Sequence, residues 1–325
     1  MSEEIVKSVI LGLAVGDALG VPVETVSREE LKVRPIKNMK GQGMYHVEKG
    51  TWSDDTSLTL AGLESLTYGL DFHDVMERYK NWYANGDYTP HGKTFGVGQT
   101  TKNAIMRYLH GVEPLKCGDV EETSNGNGAL MRISPFVLYL YLHNYHFDEF
   151  DYRGFEIIHK ASCLTHRHPR SQVACGIFAK VLTSLFNPNT NKKETIVQRA
   201  IDRALYSYDE SMFGADIKAE ISTYEHLVDV CSFMNMAESD ISSSAYVVDT
   251  LEAALYCFLT TNSYEECVLK AVNLGNDSDT TASVAGALAG AFYGLRAIPE
   301  KWLHVLAKRE EIEKMCTNFS LRNEK

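Results

Sequence analysis

Two clusters of acidic and hydroxyl side chains stand far apart in the 325-residue chain: Ser53-Asp54-Asp55-Thr56 and Asp277-Ser278-Asp279-Thr280. Each opens an apolar-periodic run, where neither packing nor solubility asks for aspartates. Carboxylates, hydroxyls and water are the donors that hard divalent ions prefer, so the clusters read as two halves of one metal site. Ser53, Asp54 and Asp55 would supply one half, and Asp277, Asp279 and Thr280 the other. Adjacent Asp54 and Asp55 can face different ions, and the Asp277-x-Asp279 spacing lets two carboxylates converge in a turn. Crowded carboxylates raise one another's pKa values, a penalty that a divalent cation removes, and helix N-termini add favourable partial positive charge. Four aspartates with Ser53, Thr280 and water could complete two octahedral spheres, so two Mg2+ or Mn2+ ions are the expected cofactors. Ser, Thr and Asp are also common N-cap residues, and capping of two unrelated helices is the alternative for the same residues. The two readings part on geometry, because a shared site requires the clusters to meet.

Other residues carry weaker signals. Gly96-Val97-Gly98 can turn consecutive backbone amides toward a diphosphate without Cβ obstruction, though short glycine loops are common. Asn127 can donate and accept hydrogen bonds in a site or close an Asx turn. His166 and His168, in Thr165-His166-Arg167-His168-Pro169, suggest zinc, but no third soft ligand follows at useful spacing. A cleft hydrogen bond for His166 and a surface position for His168 are expected instead. Arg132 is expected to anchor the 126–135 loop through carboxylate or backbone contacts. Tyr139, Tyr141, Tyr145, Phe147, Phe150, Tyr152 and Phe155 form an aromatic stretch that reads as a pocket or lid or, preferentially, as a helix-packing seam beside a surface loop.

Helices must position these residues. Apolar spacing of three and four predicts them at 5–19, 54–68, 72–85, 99–109, 134–142, 154–164, 171–186, 193–206, 245–259, 264–273 and 280–294, with Ser53 or Asp54 suited to cap the second. Turn formers mark 23–50, 86–98 and 118–128 as loops. In the last helix Ala282, Ala285, Gly286, Ala289 and Gly290 recur at helical spacing. Such small side chains permit close backbone approach and belong in a crowded centre. Few stretches alternate with period two, and neither a nucleotide-type βαβ unit nor an internal repeat is evident. The expected fold class is therefore all-α: a compact multi-helix single domain over 1–325, with a variable excursion at 207–244.

A composition of 44% hydrophobic and 23% charged residues is that of a globular protein, and the formal charge of −11 argues against an extended nucleic-acid surface. The opening MSEEIVKSVILGLAVGDALG lacks the basic flank of a secretory leader, and with Asp17 breaking its apolar stretch no membrane span is expected. Seven cysteines without a CxxC suggest reduced thiols in a cytoplasmic protein. A monomer is expected.

Several blocks fall in an order that resembles a known family. They are Gly12-Leu13-Ala14-Val15-Gly16-Asp17-Ala18-Leu19-Gly20 with Pro22 and Glu24, Thr51-Trp52-Ser53-Asp54-Asp55-Thr56, Gly96-Val97-Gly98-Gln99-Thr100 and Gly126-Asn127-Gly128-Ala129-Leu130-Met131-Arg132. Leu164-Thr165-His166, the run Tyr246–Ala254 and the run Ala271–Thr280 follow. Over roughly residues 8–294 the chain resembles the ADP-ribosylglycohydrolases, which include the dinitrogenase reductase-activating glycohydrolases. The resemblance implies an all-α fold, a binuclear magnesium or manganese centre, and hydrolysis of the glycosidic bond that links ADP-ribose to a protein side chain, most often arginine, or to a small molecule. It implies Ser53, Asp54, Asp55, Asp277, Asp279 and Thr280 as ligands, and Glu24 as the acid near the substrate and its water. Asp54 or Asp55 would be the second proton carrier. It further implies Gly96, Val97 and Gly98 as the diphosphate loop, Asn127, Gly128 and His166 as cleft residues, and Tyr246 as a candidate adenine partner. Asp17 is expected to support the Glu24 turn. Family members often have Thr at Ser53 and Ser278 and Gly at Asn276; the last departure bears on the width of the cleft. A noncatalytic ADP-ribose-binding protein and a hydrolase of another ADP-ribosyl or nucleotide-sugar substrate are the alternatives.

Overall fold

The segment from Ile5 to Leu19, apolar at helical spacing and then rich in small residues, forms α1 (Ser2–Gly20) in the computed structural model, which describes residues 2–144, 152–188, 190, 192–209 and 213–324. The chain continues through α2 (Arg28–Val33), α3 (Asp54–Leu66), α4 (Phe72–Asn85), α5 (Gln99–Leu109), α6 (Ser134–Leu142), α7 (Tyr152–Cys163) and α8 (Pro169–Phe186). It ends with α9 (Lys193–Asp209), α10 (Ala215–Ala219), α11 (Val230–Met234), α12 (Val247–Leu259), α13 (Tyr264–Asn273), α14 (Ser278–Tyr293), α15 (Glu300–Leu303) and α16 (Arg309–Asn323). Short 3-10 turns join several of them. Among the described residues the β-type pairings are three isolated bridges, Gln42 with Val47, Asp119 with His166 and Gly126 with Tyr246, so the fold is all-α.

The centre is the crossing of α1 and α14. A Cβ on Gly16 would stand 2.1 Å from the Ala282 carbonyl oxygen, and one on Gly290 2.1 Å from that of Ser8. Only hydrogen in place of a side chain lets two helix backbones touch in this way. Around this joint lie α3, α13 and α16 against α1, and α8, α12 and α13 against α14. Every residue of α1 from Ser8 to Gly20 is buried, as a helix apolar on all sides must be. The segment Ser2–Val23 does meet the length and apolarity of a membrane span, contrary to expectation, yet 89% of its window is buried inside the fold. It is a core helix.

Among the described residues five helices stand where none is expected: α2, α10, α11, α15 and α16. Ser27 caps α2 by accepting a hydrogen bond from the Glu30 amide, a Ser-x-x-Glu signal inside the segment read as loop. The polar stretch forming α16 hides its buried face at Ile312, Cys316, Phe319 and Asn323. That C-terminal part braces the region before the first acidic cluster. The Ala307 amide donates to the Gly50 carbonyl at 3.0 Å, Trp302 Nε1 to Asn38 at 2.6 Å, and Asn323 Nδ2 to the Leu66 carbonyl at the end of α3 at 3.2 Å. In the aromatic stretch, Tyr139 stacks on His143, Tyr141 meets Phe186, and Phe155 meets Tyr208 and Phe213, which is a packing seam. Tyr145, Phe147 and Phe150 lie outside the described residues.

Candidate metal centre and cleft

Ser53 is the N-cap of α3: its Oγ accepts from the Asp55 amide at 3.3 Å and donates to Asp55 Oδ2 at 2.8 Å. Asp17 reaches across from α1 to the same helix start. Its Oδ1 accepts from the Ser53 amide at 2.9 Å, and its Oδ2 from the Thr56 amide at 3.0 Å and the Thr56 hydroxyl at 2.6 Å. Asp17 therefore serves the start of α3 and not the Glu24 turn, correcting the sequence expectation. The turn beside Glu24 is held by α14's approach loop, with the Thr25 amide donating to the Asn276 carbonyl at 2.7 Å and the Asn276 amide to the Val26 carbonyl at 2.8 Å.

The second cluster is set differently. Asp277 occupies the N-cap of α14 without capping it; its Oδ2 accepts from Asn127 Nδ2 at 2.6 Å. The Ser278 hydroxyl donates to the Gly20 carbonyl at 3.1 Å, and a Cβ on Gly20 would stand 2.3 Å from the Asp279 Cα. Close approach at Gly20 thus fixes Asp279 beside the end of α1. The Thr280 hydroxyl donates to Asp55 Oδ2 at 3.4 Å, so the two clusters meet.

Carboxylate oxygens of Asp17, Asp55 and Asp279 all lie within 4.8 Å of one another. Asp55 Oδ1 and Asp279 Oδ1 are buried without a hydrogen-bond partner. A buried carboxylate oxygen with no partner carries a desolvation cost of a few kcal/mol unless something positive faces it. This donor set, all oxygen and partly unsatisfied, fits a hard divalent cation. Burial first, and then neighbouring carboxylates, push Asp54, Asp55 and Asp279 well above the usual range. Asp17 is raised to about 6, mainly by burial against the opposing hydrogen bonds from Thr56 and Ser53. Glu24 is raised to about 7, by burial against a Tyr45 hydrogen bond and with the charges of Asp277 and Asp17 adding to it.

A cleft of about 640 Å³ opens over this centre, with Glu24, Asp54, Asp277, Asp279 and Thr280 on one wall. Gly96, Gly98, Asn127, Gly128 and His166 also line it. Gly96 takes φ 72°, and a Cβ there would stand 3.0 Å from Asp54 Oδ1. Gly98 precedes α5, whose first residues Gln99, Thr100 and Thr101 also face the cleft. Val97 instead packs on the hydrophobic core. A Cβ on Gly128 would stand 2.8 Å from His166 Cε1, so the absent side chain is what opens this wall. His166 is buried and neutral, pushed down to about 3 by burial and then by Arg132.

Tyr246 lies outside the cleft lining; its hydroxyl accepts from Arg170 Nη1 at 3.0 Å and its ring lies under that guanidinium. His168 caps α8 by accepting from the Arg170 amide. Arg132 is fully buried, donating to the Tyr79 hydroxyl, the Ala161 carbonyl and the Thr165 hydroxyl, with no carboxylate among these partners. Asn276 lines the cleft at φ 56°, the left-handed conformation that suits Gly or Asn, and its Nδ2 donates to Ser243 Oγ at 3.2 Å. Sequence reasoning missed Asp17 as a member of the carboxylate group. Its signal was a charge inside an otherwise apolar, buried helix.

The family model of the ADP-ribosylglycohydrolases matches residues 2–325. The chain is 30% identical over 313 residues to an ADP-ribosylarginine hydrolase, Tri1, of Serratia proteamaculans, covering 95% of this chain and 77% of that one. It is 30% identical over 307 residues to the ADP-ribosyl-[dinitrogen reductase] glycohydrolase of Rhodospirillum rubrum, covering 93% and 90%. A solved structure described as an ADP-ribosylglycohydrolase-related protein complex superposes with a TM-score of 0.78 at 30% identity, covering 99% of both chains. With the match running through the central joint and both acidic helix starts, the chain belongs to the ADP-ribosylglycohydrolase family.

Proposed function

We propose that the protein hydrolyses the glycosidic bond between ADP-ribose and an arginine side chain, with two Mg2+ or Mn2+ ions held by Ser53, Asp54, Asp55, Asp277, Asp279 and Thr280. The observation that carries this reading is the pair of buried, partnerless oxygens on Asp55 and Asp279, the second of which lines the cleft. Arginine as the linkage is supported by the substrate named for the Serratia relative, and a protein as its bearer by the name of the Rhodospirillum one. When bound, the ions would grip the vicinal hydroxyls of the terminal ribose and lower the pKa of a water.

The chain's own groups supply the rest. Glu24 lines the cleft with its carboxyl raised to about 7, the range in which one group can both take and return a proton near neutrality. It would receive a proton as water oxygen bonds to the anomeric carbon. The leaving nitrogen takes up a proton as its bond to that carbon breaks. Asp54 or Asp55 is the second candidate for moving that proton. Gly96, Gly98 and the first residues of α5 line the cleft, where a helix N-terminus would favour a diphosphate. Asn127 holds Asp277 in place, and Gly128 with His166 shapes the far wall. Seven unpaired cysteines support a reducing, cytoplasmic setting. A cleft assembled from one chain supports a monomer as the working unit.

The test is release of free ADP-ribose, followed by mass spectrometry, from matched arginine- and serine-linked peptides with Mg2+, Mn2+ or chelator. Metal-dependent release from the arginine conjugate is expected. Saturable binding with every linkage left intact would identify a noncatalytic ADP-ribose-binding protein instead.

A further inference from the structure

Two aromatic rings at the rim of the acidic wall have no part in the chemistry described above. The hairpin 42–47 closes through the Gln42 amide to the Val47 carbonyl at 2.7 Å. It folds tightly on the turn before Glu24, where a Cβ on Gly43, at φ 72°, would stand 2.3 Å from the Pro22 carbonyl oxygen. This contact brings the Tyr45 hydroxyl close to the Glu24 carboxylate. Phe95 comes from the loop before α5, next to the glycine that lies against Asp54. The two rings sit 4.8 Å apart at 47°, both half-exposed. Tyr45 feels the charges of Glu24, Asp279 and Asp54.

Aromatic faces beside carboxylates at an open rim match one kind of group closely. A guanidinium is planar, permanently charged and weakly hydrated; it stacks on rings while its edges donate to carboxylates. A serine hydroxyl offers neither face nor charge. We propose that Tyr45 and Phe95, with the Glu24 carboxylate, form a subsite for the guanidinium group on the leaving side of the scissile bond. Such a subsite rests on the hydrolysis proposed above and names what would select its linkage.

Agmatine, a free guanidinium probe, is titrated by calorimetry into the Mg2+-loaded protein saturated with ADP-ribose. Phe95→Leu and Tyr45→Leu are expected to weaken agmatine binding about tenfold, and Tyr45→Phe, which keeps the ring, by no more than about twofold. ADP-ribose affinity stays at the wild-type value. In turnover, the ratio of kcat/KM for arginine-linked over serine-linked peptide falls about tenfold in the Leu variants; taking the ratio cancels any common effect passed through Glu24. Wild-type melting midpoints check that the half-exposed substitutions leave the fold intact. Agmatine binding absent from the wild type or indifferent to both rings, or an unchanged linkage ratio, overturns the subsite. If the wild type cleaves neither peptide while agmatine binding still depends on the rings, hydrolysis falls and the subsite stands.

Discussion

At the start of α3 the free amides are taken by Ser53 and by Asp17 from α1, whereas at the start of α14 the N-cap residue Asp277 makes no capping bond at all. There the loop backbone does the holding, through the Thr25 and Asn276 pairing and through Arg28, which donates to the carbonyls of Leu274 and Ile241. One helix start is capped by side chains that are not its paired aspartates, and the other is fixed from outside. Both arrangements leave Asp55 and Asp279 with an oxygen to spare. Capping, the rival explanation of these clusters, accounts for Ser53 and Asp17 but for neither of those oxygens.

The sharpest challenge to that comparison is to neutralise one aspartate on each side. Asp55→Asn and Asp279→Asn are each expected to cut metal-dependent release of ADP-ribose by about 10³-fold, with Asp55→Asn weakening ADP-ribose binding far less. Loss in only one of them would separate the two halves. Next in size is damage to the joint: Gly16→Ala drives a Cβ against the Ala282 carbonyl and should lower unfolding free energy by about 3 kcal/mol in denaturant titrations. Asp17→Asn keeps one acceptor for the amides of α3, so activity should fall by about 10- to 100-fold, as for outer partners of metal ligands, and stability by about 1 kcal/mol.

A buried ionisable group outside both halves gives the control. His159, bonded to the Tyr208 hydroxyl at 3.0 Å, is pushed down to about 3 by burial, against about 6.5 in an unfolded chain. On acidification the unfolded chain binds the proton first. Its stabilising contribution is complete above about pH 6.5 and is lost as pH falls from there toward about 3. His159→Gln should flatten that acid limb by up to about 1.4 kcal/mol per pH unit. Asn276→Gly is the smallest perturbation: relief of the positive φ offsets loss of the Ser243 bond, leaving stability within about 1 kcal/mol. A large change in KM would then show that this side chain narrows the cleft.

The pieces legible in the sequence were those with local signals. The long apolar-periodic helices stand close to the predicted spans, and the Ala/Gly repeat at 282–290 marked α14 as central. What it packs against was not legible, because the matching glycines at 12, 16 and 20 belong to a contact between chain ends. The same distance hid the C-terminal brace on Gly50 and Asn38. Asp17 was misassigned because its partners, Ser53 and Thr56, lie on another helix. Tyr246 and Val97 sit in motifs whose neighbours Ala245, Gly96 and Gly98 line the cleft, and sequence pattern does not tell which side chains turn away.

The glycine-to-carbonyl contact of α1 with α14 leaves no layer of side chains that could slide or repack. A joint of that kind cannot act as a hinge, so the floor that unites Asp17, Asp55 and Asp279 stays rigid through a catalytic cycle. For the protein-borne substrate proposed above, any room needed for entry and exit would have to come from the rim, at the 42–47 hairpin and the loop before α5.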